Sequence, residues 1–180
     1  LVQNMTQIYP PSYWRLKKES FFRDLTPNIE QGLNTALEKQ ILPQDALKAL
    51  SNIYSLKNNF ERAIAYYKDL LILNKSKISP SDYTHMGALH LKNKQYEDSL
   101  VYFEKSFFLS KNPSSTINRI YRIFKNEKRF GNFLSFSRIL QEKDTENPSL
   151  DMIVATCWID MGFPELAKAR LIKINAAKPN

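Results

Sequence analysis

The chain has 180 residues, 43% of them hydrophobic and 24% charged, with a formal net charge of +8. That is the composition of a globular protein able to bury a continuous core, which excludes disorder as the dominant state. The single cysteine, Cys157, excludes an internal disulfide, and no run of about 18 apolar residues offers a membrane span. The chain opens on Leu1, and its first residues lack the basic start and apolar block of a secretory signal. The expectation is a processed form or a fragment, placed in the cytoplasm by default with the periplasm left open.

The positive charge is concentrated. Between Lys111 and Lys143 eight cations face only Glu127 and Glu142, so this segment carries +6 of the total. Such a face suits an acidic polypeptide, nucleic acid or an anionic surface, and equally serves as a solvated exterior.

In chain order, residues 1–9 read as an extension. Residues 10–43 read as a faint helical hairpin, with Leu16, Ile29, Leu33, Ala36 and Leu37 on its apolar positions. From there an internal period takes over, with units at 44–77, 80–113, 114–147 and 148–180. The segment from Phe60 to Asn74 returns as Tyr96 to Ser110, a shift of 36, which sets Phe60 on Tyr96, Ala63 on Ser99 and Tyr67 on Phe103. Shifts of 34 then reach Ile120, Tyr121, Phe124, Phe130, Phe133 and Leu134, and after them Val154, Ala155, Trp158, Pro164, Ala167 and Lys168. Within each unit the apolar residues recur at three and four, as in Leu47, Leu50 and Tyr54, which predicts two amphipathic helices per unit. The breaks between paired helices fall at LKNN, LKNKQ, FKNEKR and DMG, where asparagine or Gly162 is expected to take the left-handed conformation that ends a helix. Prolines punctuate the units: Pro43 precedes the second, Pro80 opens the third, Pro113 closes it and Pro148 opens the fifth.

This pattern resembles the tetratricopeptide repeat (TPR). Gly87, His90, Tyr96, Ser99 and Phe103 carry the resemblance in the clearest unit, and Ser51, Tyr54, Phe60, Ala63 and Tyr67 carry it in the unit before. Ala155, Trp158, Gly162, Ala167 and Pro179 carry the last. The unit from Ser114 departs from it, with Tyr121 and Phe133 where small residues are usual and Ser137 where an aromatic is usual. The resemblance implies an all-α fold, a right-handed solenoid of helical hairpins. It also implies a concave groove lined by the first helix of each hairpin, and a non-catalytic protein-binding scaffold or adaptor. The recurring aromatics are then core residues rather than a ligand platform.

The residues give chemistry little foothold. His85 and His90 are five apart, which puts them on different helix faces; His90 falls on a core position. Cys157 falls on a buried helix, and the glycines Gly32, Gly87, Gly131 and Gly162 are too scattered for a phosphate loop. No enzyme, metal or cofactor is expected. The groove residues expected to meet a partner are Lys48, Asn52, His85, Asn118, Arg119, Arg122, Lys125, Met152 and Thr156, basic in the middle and apolar at the end, where Ile153 and Ile159 join them. Ser81 and Thr84 are expected on the same face. Such a groove fits an acidic, or acidic and apolar, peptide. Some TPR proteins hold an acidic chaperone tail in a carboxylate clamp; of its five positions Lys48, Asn52 and Arg119 match, while His85 and Ser115 do not. The alternatives are a structural module of a larger assembly acting through its outer face, and, less favoured, nucleic-acid binding through the basic segment.

Overall fold

A computed structural model describes residues 27–143 and 147–176. Among them every regular element is helical, and no helix is long and apolar enough to cross a membrane. The chain divides into two compact units, residues 1–73 and 74–180. Of the faint first hairpin, residues 1–26 with Leu16 lie outside the described part.

The first unit contains α1, helical from 27 to 38, followed by α2 (Pro43–Leu56) and α3 (Phe60–Leu73). Leu33, Ala36 and Leu37 are half-buried, whereas Ile29, expected on an apolar position, is exposed. Helix α1 is fastened to the rest by Glu30, whose carboxylate pairs with Lys57 and accepts from the Tyr54 hydroxyl. Helices α2 and α3 pack closely because the residues facing each other are small: the Ser51 hydroxyl donates to the Ala63 carbonyl at 2.8 Å, both residues fully buried.

The second unit contains three hairpins: α4 (Pro80–Lys92) with α5 (Tyr96–Leu109), α6 (Pro113–Asn126) with α7 (Phe130–Lys143), and α8 (Pro148–Asp160) with α9 (Pro164–Ala176). Proline stands first in α2, α4, α6, α8 and α9, a position where the missing N–H costs nothing and the fixed φ is already helical. Pro113 therefore starts a hairpin rather than closing one. The same preference explains Pro164, which replaces the aromatic of earlier copies yet still begins its helix. Ser79, Asn112 and Asn147 cap α4, α6 and α8 with their side chains, Ser79 in a reciprocal capping box with Asp82.

The turns between paired helices share one backbone. Asn58, Lys94, Lys128 and Gly162 have φ of 58°, 61°, 54° and 85°, and they stand 36, 34 and 34 residues apart. After each, an amide bonds back to the helix: Asn59 to Tyr54, Gln95 to His90, Arg129 to Phe124 and Phe163 to Trp158, at 2.8–2.9 Å. This is the Schellman closure. In two of the turns the left-handed residue is a lysine, Lys94 rather than the neighbouring Asn93 and Lys128 rather than Asn126 two places earlier, because the register of the repeat decides which residue must turn.

One core runs through the second unit. Phe103, Phe124, Phe133 and Phe136 are fully buried together, with Phe103 touching both Phe124 and Phe136. Phe136 supplies the aromatic missing at Ser137, one residue early, while the Ser137 hydroxyl is satisfied by the Leu134 carbonyl. The pair of facing residues that is Ser51/Ala63, Gly87/Ser99 and Ala155/Ala167 elsewhere is Tyr121/Phe133 here, with ring centroids 4.8 Å apart. Two rings cannot occupy the space of two small side chains, so the α6 and α7 backbones approach one another much less closely than those of α4 and α5.

Candidate functional site

In the second unit the first helices of successive hairpins lie side by side. Arg119 on α6 donates to the Ser81 hydroxyl of α4 at 2.9 Å. On its other flank α6 meets α8 through the Ser114 and Ser149 hydroxyls, 2.6 Å apart, and through Asp160. The second helices form the opposite row, with Lys143 of α7 paired to Glu104 of α5.

Helical geometry then fixes the order of the cations on α6. Arg119, Arg122 and Lys125 are spaced by three, so each step turns about 60° around the helix. Arg119 reaches toward α4 and Lys125 toward α8, which leaves exposed Arg122 between them, pointing out from the face. Beside it on α8, Met152 and Ile159 are 54% and 55% exposed, with exposed Thr156 between them, its hydroxyl bonded to the Met152 carbonyl. The cations of α6 and the exposed apolar residues of α8 thus lie on neighbouring helices.

Lys125 is engaged from within. Its ammonium donates to the Asp160 carboxylate at 2.7 Å, and the Tyr121 hydroxyl donates to the same oxygen. The Lys125 hydrogen bond, and then that of Tyr121, hold the Asp160 carboxyl below its ordinary range. Burial, reinforced by the bond to Asp160, keeps the Tyr121 hydroxyl protonated well above the usual range. The bulky residue of the irregular unit is therefore a strut between α6 and α8. Asp160 was missed from sequence, although a carboxylate in the last turn of a helix meets the negative end of its dipole and calls for a cation.

Thr84 and Ile153 are placed differently from expectation, whereas His90 and Cys157 are buried as their positions implied. Thr84 is buried, its hydroxyl shared with Ser106 at 2.6 Å and with the Pro80 carbonyl at 3.0 Å; alternate polar residues on an amphipathic helix cannot be assigned outward by spacing alone when a partner hydroxyl waits inside. Ile153 packs against the core instead of joining the apolar row. His85 and Asn118 are half-buried, and Ser115 gives its amide to the Asn112 cap. His90 is buried, stacked on Tyr102 with its Nδ1 2.8 Å from Gln95 Oε1. Cys157 is fully buried, and burial pushes its thiol up to about 11. In the first unit, Lys48 and Asn52 are both exposed on α2, one turn apart.

No protein-family model matches the sequence, and no curated protein matches it. Solved structures do. A kinesin light chain from Podosopora anserina with TPR-like repeats is 11% identical, with a TM-score of 0.56 over 90% of this chain and 89% of that one. MamA is 11% identical, with a TM-score of 0.53 over 88% of this chain and 85% of that one. The C-terminal part of a TPR repeat-containing protein from Cytophaga hutchinsonii is 13% identical, with a TM-score of 0.53 over 89% and 64%. The run of helical hairpins has the fold of the tetratricopeptide-repeat proteins.

Proposed function

We propose that the chain is a non-catalytic scaffold that holds a polypeptide segment against the first helices of its hairpins. The observation that supports this is the outward-facing Arg122, flanked by Arg119, beside the exposed Met152, Thr156 and Ile159. An arginine fork suits a carboxylate, and an apolar row one helix away suits a hydrophobic side chain of the same segment. First helices pack at about 8–10 Å, which an extended chain crosses in roughly three residues. The preferred segment therefore carries an acidic residue followed about three places later by an apolar one.

Panning a displayed peptide library against wild type and against Arg119→Glu/Arg122→Glu, with circular dichroism to check folding, tests this reading. Enrichment of acidic-then-apolar sequences by wild type alone supports it. Enrichment of the same peptides by both proteins, or no enrichment by wild type, overturns it. A second reading, an assembly module binding through its outer face, is favoured by the half-exposed Val101, Phe108 and Leu109 on α5; self-association lost in Val101→Glu/Phe108→Glu would select it.

A further inference from the structure

We infer that Asp160 is an internal competitor of the acidic partner: its carboxylate occupies the Lys125 ammonium and so removes one of the three cations of α6 from recognition. The inference rests on the function proposed above. It is carried by geometry. Arg119, Arg122 and Lys125 form one row around α6, but they end differently: Arg119 on a neutral hydroxyl, Lys125 on a carboxylate. A hydroxyl leaves the guanidinium its full charge and its remaining donors. A carboxylate at 2.7 Å leaves the ammonium in a pair with no net charge, which attracts an anionic partner far less than a free ammonium does.

Tyr121 makes this arrangement persistent. Asp160 is held by two donors on α6, one of them from a buried ring wedged against Phe133. A partner carboxylate that tried to take Lys125 would have to leave Asp160 with Tyr121 alone and unneutralised at the C-terminal end of α8. The row therefore reads two acidic positions, at Arg119 and Arg122, and is blind to a third beyond them. Asp160 in this account is a specificity-determining residue, acting by what it conceals.

Binding of a synthetic hexaglutamate peptide at low salt, followed by fluorescence anisotropy of the labelled peptide, tests the inference on the full chain. Asp160→Asn exposes Lys125 and is expected to tighten binding about threefold to tenfold, with the gain removed by high salt. The charge-neutral double variant Lys125→Gln/Asp160→Asn is expected to bind as wild type does, since it deletes a pair that was already silent. Glu97→Gln, an exposed change on α5 with the same effect on net charge, is expected to change affinity less than twofold. Should the double variant weaken binding as Arg122→Gln does, Lys125 reads the peptide directly and the masking is wrong. Equal tightening by Glu97→Gln overturns it as well, as does unchanged affinity in Asp160→Asn while Arg122→Gln weakens binding; in that last case the proposed function still stands. Absence of binding by wild type and Asp160→Asn alike removes both. Because the double variant also lacks the Asp160 carboxylate, its wild-type affinity doubles as evidence that the face remains folded.

Discussion

Gly87 lies so close to the ring of Phe103 that a β-carbon at position 87 would come within 2.6 Å of two ring carbons. Phe103 is fully buried and held between Phe124 and Phe136, so the ring has nowhere to go. Gly87→Ala gains up to about 1 kcal/mol in helix propensity but overpacks the α4/α5 contact by about 1–3 kcal/mol. The expected outcome is a net loss of roughly 1–2 kcal/mol, read as a lower urea midpoint at unchanged slope. Unchanged stability would mean that the ring yields.

The left-handed turns make the opposite prediction. Lys94 and Lys128 occupy a conformation that an L-residue adopts at a cost of about 1 kcal/mol, and Gly162 occupies it without strain. Lys94→Gly and Lys128→Gly are each expected to stabilise the chain by about 0.5–1 kcal/mol, and Gly162→Ala to destabilise it by a similar amount. Thermal unfolding of the three variants checks the signs, which should hold regardless of salt.

Cys157 should be silent until the chain opens. Its thiol is fully buried, and burial raises it from 9.0 to about 11, while only the thiolate attacks a disulfide reagent. Labelling with a chromogenic disulfide at pH 8 is expected to track unfolding, reaching completion only in denaturant. The unfolded thiol ionises near 9.0 and the folded one near 11, so the stability attached to this group is complete below 9 and is lost as pH rises toward 11.

Asp160 gives an acid counterpart. Its folded carboxyl lies below the ordinary 3.8. The stability linked to it is therefore present above that value and is lost as pH falls through the folded one. Asp160→Asn is expected to show a shallower loss of stability than wild type below about pH 4 in an acid titration followed by circular dichroism, and little difference in slope above pH 5.

Much of the fold was legible in the sequence because the repeat is written in volumes. Small residues facing small residues at Ser51/Ala63 and Gly87/Ser99, with Phe103 and Tyr67 buried beside them, mark both helices and the distance between them. The turns were legible in position, and in chemistry at Asn58 and Gly162 but not at the other two. Asparagine is the better left-handed residue, yet the register put Lys94 and Lys128 there, and register is a property of the whole hairpin. The candidate site was legible on α6, where a spacing of three is a statement about direction. It was illegible at Asp160, Thr84 and Ile153, whose roles depend on which neighbouring helix supplies a cation, a hydroxyl or a greasy surface. Spacing within one helix carries no information about its neighbours.

The Tyr121 strut also changes what counts as a piece of this molecule. The sequence divides the second unit after every second helix, but the α6 backbone is held off its sequence partner α7 by the rings between them and is tied to α8 by Tyr121, Lys125 and Ser114. The boundaries of local unfolding therefore need not follow those of the repeat. In hydrogen exchange α6 and α8 are expected to open together as one cooperative block, and a hairpin lifted out by its repeat borders would leave its strongest polar ties behind.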